Sequence, residues 1–156
     1  MQIFHGNILF SKTYTELACY EDSYLLIEQG KVKDIFSTLP EQYKEVKITD
    51  YGKAVIIPAF SDLHVHASQY IERGLGMDML LADWLNQYTF PQEARFQEMD
   101  YAHRVYDAFL KDMIRHGTFH AAIFTTIHRE ASSYLIQEME KLGLYAYVGK
   151  VNMDMA

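Results

Sequence analysis

The sequence predicts an α/β fold: the first third of a (β/α)8 TIM-type barrel, preceded by strands of a small β-sandwich domain. Two observations carry this. Residues 1–57 hold runs of strand-forming residues separated by turn signals. From about residue 80 the apolar period changes, and helical stripes alternate with short buried runs in the order β, α, β, α, β. Buried strands joined through helices pair in parallel with right-handed crossovers. A complete barrel takes roughly 250 residues, whereas this chain has 156. Three barrel strands leave open edges, so the expectation is a piece of a longer protein whose remainder closes the barrel.

Taken in order, Ile3 to Phe10, Tyr24 to Glu28 and Val32 to Phe36 read as strands, with Gln29-Gly30 a hairpin turn between the last two. Val46 to Ile57, interrupted by Gly52, leads into an apolar strand-like run from Ala54 to Phe60. Residues 1–57 are therefore assigned to the β-rich part of a composite sandwich, and 58–156 to the first β/α units of the barrel. Leu80, Leu81, Trp84, Leu85 and Tyr88 share helical spacing, which predicts a short helix ended near Pro91. Asp100 is placed to cap a longer helix whose stripe is Ala102, Tyr106, Phe109, Leu110, Met113 and Ile114, with Gly117 ending it. Thr118 to Thr126 reads as a buried strand, Ser132 or Ser133 opens a helix through Leu142 that Gly143 closes, and Leu144 to Val151 is the last strand.

The chemistry concentrates between Pro58 and Gln69, where the chain reads Pro-Ala-Phe-Ser-Asp-Leu-His-Val-His-Ala-Ser-Gln. A strand's period of two aims His64 and His66 the same way, roughly 6.6 Å apart at Cα, and two such imidazoles can hold one metal ion. Random placement of seven histidines in 156 residues gives roughly 0.3 such pairs, so position matters more than the bare motif. The pair sits at a strand exit before a loop with Gly74 and Gly76, where α/β enzymes place their chemistry. The alternative is a solvated or structural histidine pair.

Composition narrows the classes. A net charge of −7 and a pI near 5.4, with no Lys/Arg cluster, argue against nucleic acid as a partner. No apolar run is long enough to span a membrane, and the N-terminus lacks the pattern of a signal peptide. Cys19 is the single cysteine, so an internal disulfide and a cysteine-rich zinc site are both excluded. A cytoplasmic location is the expectation. The deaminases that act on bases within nucleic acids carry His-x-Glu with Pro-Cys-x-x-Cys, which one cysteine cannot supply. A free base or other small molecule is the better substrate.

Pro58 to His66 resembles the first-strand signature of the metal-dependent amidohydrolases, with Ala59 where that family usually carries glycine. The similarity continues through His66-Ala67-Ser68-Gln69-Tyr70, Leu80 to Leu85, Tyr88-Thr89-Phe90-Pro91 and Val148 to Asp154, segments similar to the guanine deaminases within that family. It covers Val55 to Asp154 closely and the first fifty residues loosely. The resemblance implies hydrolytic deamination of guanine to xanthine and ammonia by the intact protein, with one catalytic zinc, iron being the alternative metal. It makes His64 and His66 metal ligands, and His66, Ala67, Ser68 and Gln69 substrate contacts. Gln69 is the strongest of these because a carboxamide offers a donor and an acceptor to a purine edge; the bland alternative is a loop-bracing glutamine.

Two further histidines, an aspartate and a proton-shuttling glutamate are implied from later strands, and none of those positions lies in this chain. The 156 residues alone are therefore expected to be inactive, and the remainder of the barrel is needed. Water activated by the metal would attack the amino-bearing carbon, and a proton donor would release ammonia. A homodimer is what the family suggests. Two other readings stay open: an amidohydrolase acting on a different purine, a pterin or a triazine, and a non-catalytic fragment. Trp84 is read as packing and His103 and His116 as solvated or helix-end groups. His120 and His128 could face a barrel mouth without matching a ligand of the family, and Lys150 is given a structural role.

Overall fold

The computed structural model describes residues 1–153; Asp154, with which the last family-like segment ends, and the two residues after it lie outside the described residues. The chain forms two compact units, Met1–Pro58 and the residues from Ala59 onward.

The first unit is one four-stranded sheet of β1 (Gln2–Thr13), β2 (Glu16–Glu28), β3 (Lys31–Phe36) and β4 (Ile48–Ile56), ordered β3-β2-β1-β4. β1 and β2 pair antiparallel, as do β2 and β3, while β4 runs parallel to β1. The Gln29-Gly30 turn has φ of 51° and 74°, the two left-handed residues that a tight type I′ hairpin requires. β2 starts at Glu16 rather than Tyr24, adding a first hairpin through Tyr14-Thr15. Its leading half is exposed on both faces, so no polar-apolar alternation announces it.

Both neighbours of β1 slip register beside Gly6. His5 places one ring nitrogen 2.8 Å from Asp50 and the other 3.1 Å from Asp22, while Asn7 accepts from the Asp22 amide and donates to the Lys53 carbonyl. Asn7 thus satisfies backbone that the broken ladders release, while His5 ties together carboxylates of the two flanking strands. A side chain at Gly6 would press on the Ala54 carbonyl, 3.1 Å away.

The second unit carries the all-parallel sheet β5-β6-β7, from β5 (Phe60–His66), β6 (Thr118–Phe124) and β7 (Tyr145–Gly149). The run expected from Ala54 to Phe60 is not one strand. Val55 and Ile56 pair with β1, and β5 begins at Phe60, whose amide bonds the Gly117 carbonyl at 2.8 Å. Pro58 lies between; lacking an N–H, it cannot continue a ladder. Among the described residues positive φ outside glycine occurs at Asp22 and Gln29, so Ala59 adopts a conformation open to any residue and the family's glycine is not required there.

Pro91 does not end the helix that begins near residue 80. Residues 81–97 run as α1 (Leu81–Trp84), a π-turn (Leu85–Thr89), α2 (Phe90–Ala94) and a 3-10 turn (Arg95–Gln97). Phe90 bonds back to the Leu85 carbonyl across the widened turn. Pro91 therefore falls in the first turn of a new segment, where a missing N–H leaves nothing unmade. The next helix, α3 (Met99–Arg115), starts one residue before Asp100. Asp100 acts from the first turn, where a carboxylate favours the helix dipole, while Glu98 occupies the cap position without a side-chain bond.

The last helix, α4 (Arg129–Leu142), starts three residues before Ser132. Thr126 Oγ1 accepts from the His128 amide, and Ser132 instead donates to the His128 carbonyl from inside the first turn. Gly117 and Gly143 close α3 and α4 at φ of 75° and 69°, as left-handed C-terminal residues do. β6 and β7 stop at Phe124 and Gly149, short of the expected Thr126 and Val151.

The core lies on one face of this sheet. Ala121 and Ile123 of β6 pack with the α3 stripe Ala102, Tyr106, Phe109, Leu110 and Met113, and with Leu135 and Met139 of α4. Phe60, Phe124, Tyr145 and Tyr147 are exposed. All-parallel sheets are ordinarily covered on both faces.

The loop after β5 supplies a test of this packing. Gly76 has φ of +64°, and a Cβ there would stand 2.6 Å from Trp84 Cδ1 and 3.1 Å from Met79 Sδ and Tyr88 Cε2. Gly76→Ala is expected to destabilise the fold by about 1–3 kcal/mol, read as a lower Tm. Gly30→Ala, also at positive φ but in open space, is expected to cost less, about 1 kcal/mol.

Candidate metal and substrate site

β5 delivers both imidazoles at its C-terminal end. His66 is the register partner of Phe124 on β6, and its ring stacks on that phenyl with centroids 4.9 Å apart and planes 17° from parallel. The His64 ring lies 5.1 Å from the same phenyl and 5.2 Å from His66. His64 is exposed and His66 half-buried. The Asp62 carboxylate accepts from the His64 amide at 3.1 Å and fixes the backbone at the irregular pairing between Asp62 and Val65.

Burial holds the His66 imidazole below its ordinary pKa, the neighbouring His64 pushes the same way, and the Glu93 charge pulls against both. His66 is thus biased toward the neutral form, whose lone pair binds metals. Zinc takes imidazole nitrogens at about 2.0–2.1 Å, and two rings 5.2 Å apart fit two such bonds to one ion. Among the described residues no third His, Cys, Asp or Glu joins them. The chain supplies two donors of a set that needs three or four.

Past His66 the chain turns through a 3-10 segment, Ala67–Glu72. Ala67 and Ser68, expected as substrate contacts, are wholly buried and do not line the cavity beside His66. Gln69 is half-buried and shares with Val65, His66, Tyr70, Phe109 and Asp112 the lining of a cavity of about 240 Å³. Ser68 Oγ donates to Glu93 Oε1 at 2.7 Å, and Thr89 Oγ1 donates to Glu72 Oε2 at 3.0 Å. Tyr70 Oη donates to Asp112 at 2.6 Å, and the Arg73 guanidinium lies 3.9 Å above the Tyr70 ring. Sequence reasoning missed Glu72, Thr89, Glu93 and Asp112. The signal for the first three was a repeated spacing, Ser68-x-x-x-Glu72 and Thr89-x-x-x-Glu93.

The remaining candidates lie away from the imidazole pair. The Trp84 indole donates to the Leu75 carbonyl at 3.1 Å and packs against the Gly76 loop. His103 stacks on Tyr134 at 4.0 Å, and His116 Nδ1 meets the Asp112 carbonyl at the end of α3. His120 is exposed on β6 beside Tyr145. His128 occupies the cap position of α4 with Nε2 buried and unbonded. Lys150 Nζ bonds the Val151 carbonyl at 2.9 Å.

The amidohydrolase family model matches residues 55–156, the stretch that holds β5, the imidazole pair and every helix described above. The chain belongs to the amidohydrolase family. Within it, the chain is similar to the guanine deaminase of Rattus norvegicus, 44% identical over 155 residues that take in 99% of this chain and 33% of that protein. It is 33% identical to the guanine deaminase of Dictyostelium discoideum over 99% of this chain and 38% of that one.

The crystal structure of the guanine deaminase from C. acetobutylicum with bound guanine superposes with a TM-score of 0.94 at 46% identity, across 98% of this chain and 36% of that one. The chain thus spans about a third of the length of the relatives it matches. Its three parallel strands are the opening third of an amidohydrolase barrel. Among the described residues no helix is long and apolar enough to cross a membrane.

Glu72 is almost wholly buried, and its Oε1 has no hydrogen-bond partner. Burial is the main cause that raises its carboxyl above the ordinary 4.5, with the Thr89 bond opposing and the Glu93 charge adding. The folded state therefore holds this proton more tightly than the unfolded chain, and the stability it contributes is present in acid and lost as pH rises above about 4.5. Glu72→Gln, which keeps an acceptor for Thr89 without the charge, is expected to raise Tm more at about pH 8 than at about pH 4. Equal shifts at both pH values in thermal melts would contradict this.

Proposed function

We propose that the intact protein is a zinc-dependent guanine deaminase, in which this chain contributes two metal ligands, His64 and His66, and the substrate-orienting Gln69. The observation that carries the proposal is their placement. Both imidazoles stand at the exit of the first barrel strand against Phe124, and Gln69, three residues on, lines with His66 a cavity that the turn and α3 complete. Support comes also from the likeness to guanine deaminases along nearly the whole chain.

Zinc held by such a site supplies a water activated for attack at neutral pH. This chain's own residues do the rest of what falls to it. His66, biased toward its neutral form and stacked on Phe124, and His64, tilted against the same phenyl, present ring nitrogens as donors. Gln69 offers its carboxamide oxygen and N–H groups to the edge of the purine, which fixes the amino-bearing carbon relative to the activated water. Ala67 and Ser68, buried behind Gln69, hold the turn that presents it. The other metal ligands and the proton-shuttling carboxylate are assigned to later strands. Free guanine as substrate, a homodimer and a cytoplasmic location, which suits the exposed unpaired Cys19, complete the proposal.

The purified complete protein, loaded with zinc, is expected to convert guanine to xanthine with release of one ammonia. His66→Ala is expected to lose zinc and at least about 10³-fold in kcat/KM. Gln69→Ala is expected to retain zinc and lose about 10–100-fold, about 1–3 kcal/mol, mainly through KM. Zinc stoichiometry unchanged in His66→Ala would refute the ligand assignment, and faster turnover of a pterin or triazine than of guanine would refute the substrate.

A further inference from the structure

The turn that carries Ser68 and Gln69 is tied to the helical segment after it by two reciprocal bonds. Ser68 and Glu72 stand four residues apart on the turn, and Thr89 and Glu93 four apart on the segment that passes from the π-turn into α2. The pairing is crossed: the hydroxyl of Ser68 donates to the carboxylate of Glu93 at 2.7 Å, and the hydroxyl of Thr89 donates to the carboxylate of Glu72 at 3.0 Å. Ser68, Glu72 and Thr89 are all buried. A third bond, from Tyr70 to Asp112 on α3, adds an anchor on the other side of Gln69. Gln69 is thus flanked by two residues whose side chains are each held by a carboxylate of a different helix.

Bonds from hydroxyl to carboxylate are shorter and stronger than neutral ones, more so away from water. The π-turn makes the crossing available. It widens the backbone by one residue where α1 passes into α2, changing the direction in which every later side chain points. Glu93 lies beyond it.

We propose that Glu93, acting through Ser68, is a positioning residue that sets the backbone of Gln69 and so the orientation of substrate. This rests on Gln69 meeting the substrate as proposed above. Glu93 acts on the turn and the turn presents the carboxamide; Glu93 takes no part in the chemistry.

The test uses the complete zinc-loaded protein and three readouts: guanine turnover, zinc content, and amide hydrogen exchange of residues 67–72. Ser68→Ala and Glu93→Ala are each expected to raise KM about tenfold, leave kcat within about threefold, keep zinc at the wild-type level and speed exchange of the turn. The double variant is expected to be no worse than either single one, because both remove the same bond. Glu93→Gln, whose carboxamide oxygen still accepts from Ser68, is expected to recover most of the loss. Should Glu93→Ala fail to fold, Ser68→Ala, which removes a single oxygen atom, carries the comparison.

Multiplying losses in the double variant, or unchanged exchange of residues 67–72 in Ser68→Ala, would overturn the proposal. So would loss of zinc in step with activity, since the effect would then lie at the metal. Wild-type protein inert toward guanine but showing the exchange pattern would instead overturn the substrate assignment and leave Glu93 as the residue that sets the turn.

Discussion

Because β5 and β6 pair in parallel with Val65 beside Ile123 and His66 beside Phe124, one register fixes both sides of the sheet at once. Ile123 is buried in the helical layer, and Val65 packs against the same core. Their neighbours in sequence, Phe124 and His66, necessarily emerge on the opposite face, since side chains alternate along a strand. A slip of one residue would drive the imidazoles into the α3 stripe and Val65 out of it. The hydrophobic core thus holds the imidazole pair in place without touching it. The buried volume is supplied by Tyr106, Leu110 and Leu135, all far along the chain from the histidines.

What was legible in the sequence was whatever rests on period. The α3 stripe, the strands β6 and β7 and the glycines closing α3 and α4 follow from apolar spacing and left-handed backbone, and so does the Gln29-Gly30 hairpin, but β7, expected to be buried, has no buried residue because Tyr145 and Tyr147 lie on the uncovered face. The imidazole pair was legible as a motif. Its stacking on Phe124 was not, because a neighbour across a ladder is a matter of register between residues almost sixty positions apart. Boundaries failed where one residue had two local meanings. Pro91 reads as a stop, yet a π-turn ahead of it makes it a start. Ser132 reads as a cap, yet Thr126 and His128 begin α4 earlier, and its hydroxyl turns back into the helix. The anchors at Glu72 and Glu93 left only a repeated hydroxyl-to-carboxylate spacing in the sequence, and that spacing does not show that the pairing is crossed between the two segments.

The polar interior around the turn explains why the segment that follows the imidazole-bearing strand need not be a flexible loop. A 3-10 segment of six residues makes poor internal hydrogen bonds. Side-chain bonds from Ser68, Tyr70 and Glu72 to three other parts of the unit take their place. The arrangement carries a local penalty, since Glu72 leaves one buried oxygen unbonded and lies near the charge of Glu93. Two carboxylates held close together would ordinarily be selected against in a packed interior. Here each accepts one hydroxyl hydrogen bond, which offsets part of that cost.

The imidazole pair shows the same logic in the opposite sign. Two histidines with rings 5.2 Å apart cannot both take up a proton without repelling, and partial burial of His66 adds to the penalty. The His66 ring is thereby biased toward the neutral form, which leaves a nitrogen lone pair free. Phe124 contributes by shape alone: a flat apolar face against both rings restricts their rotation and keeps water from one side. The spacing of the two rings and the neutral bias of His66 are therefore products of strand period, register and burial. What this third of the barrel leaves open is the two edges of its sheet, β5 and β7, and the face on which Phe60, Tyr145 and Tyr147 stand exposed, which a closed barrel would cover.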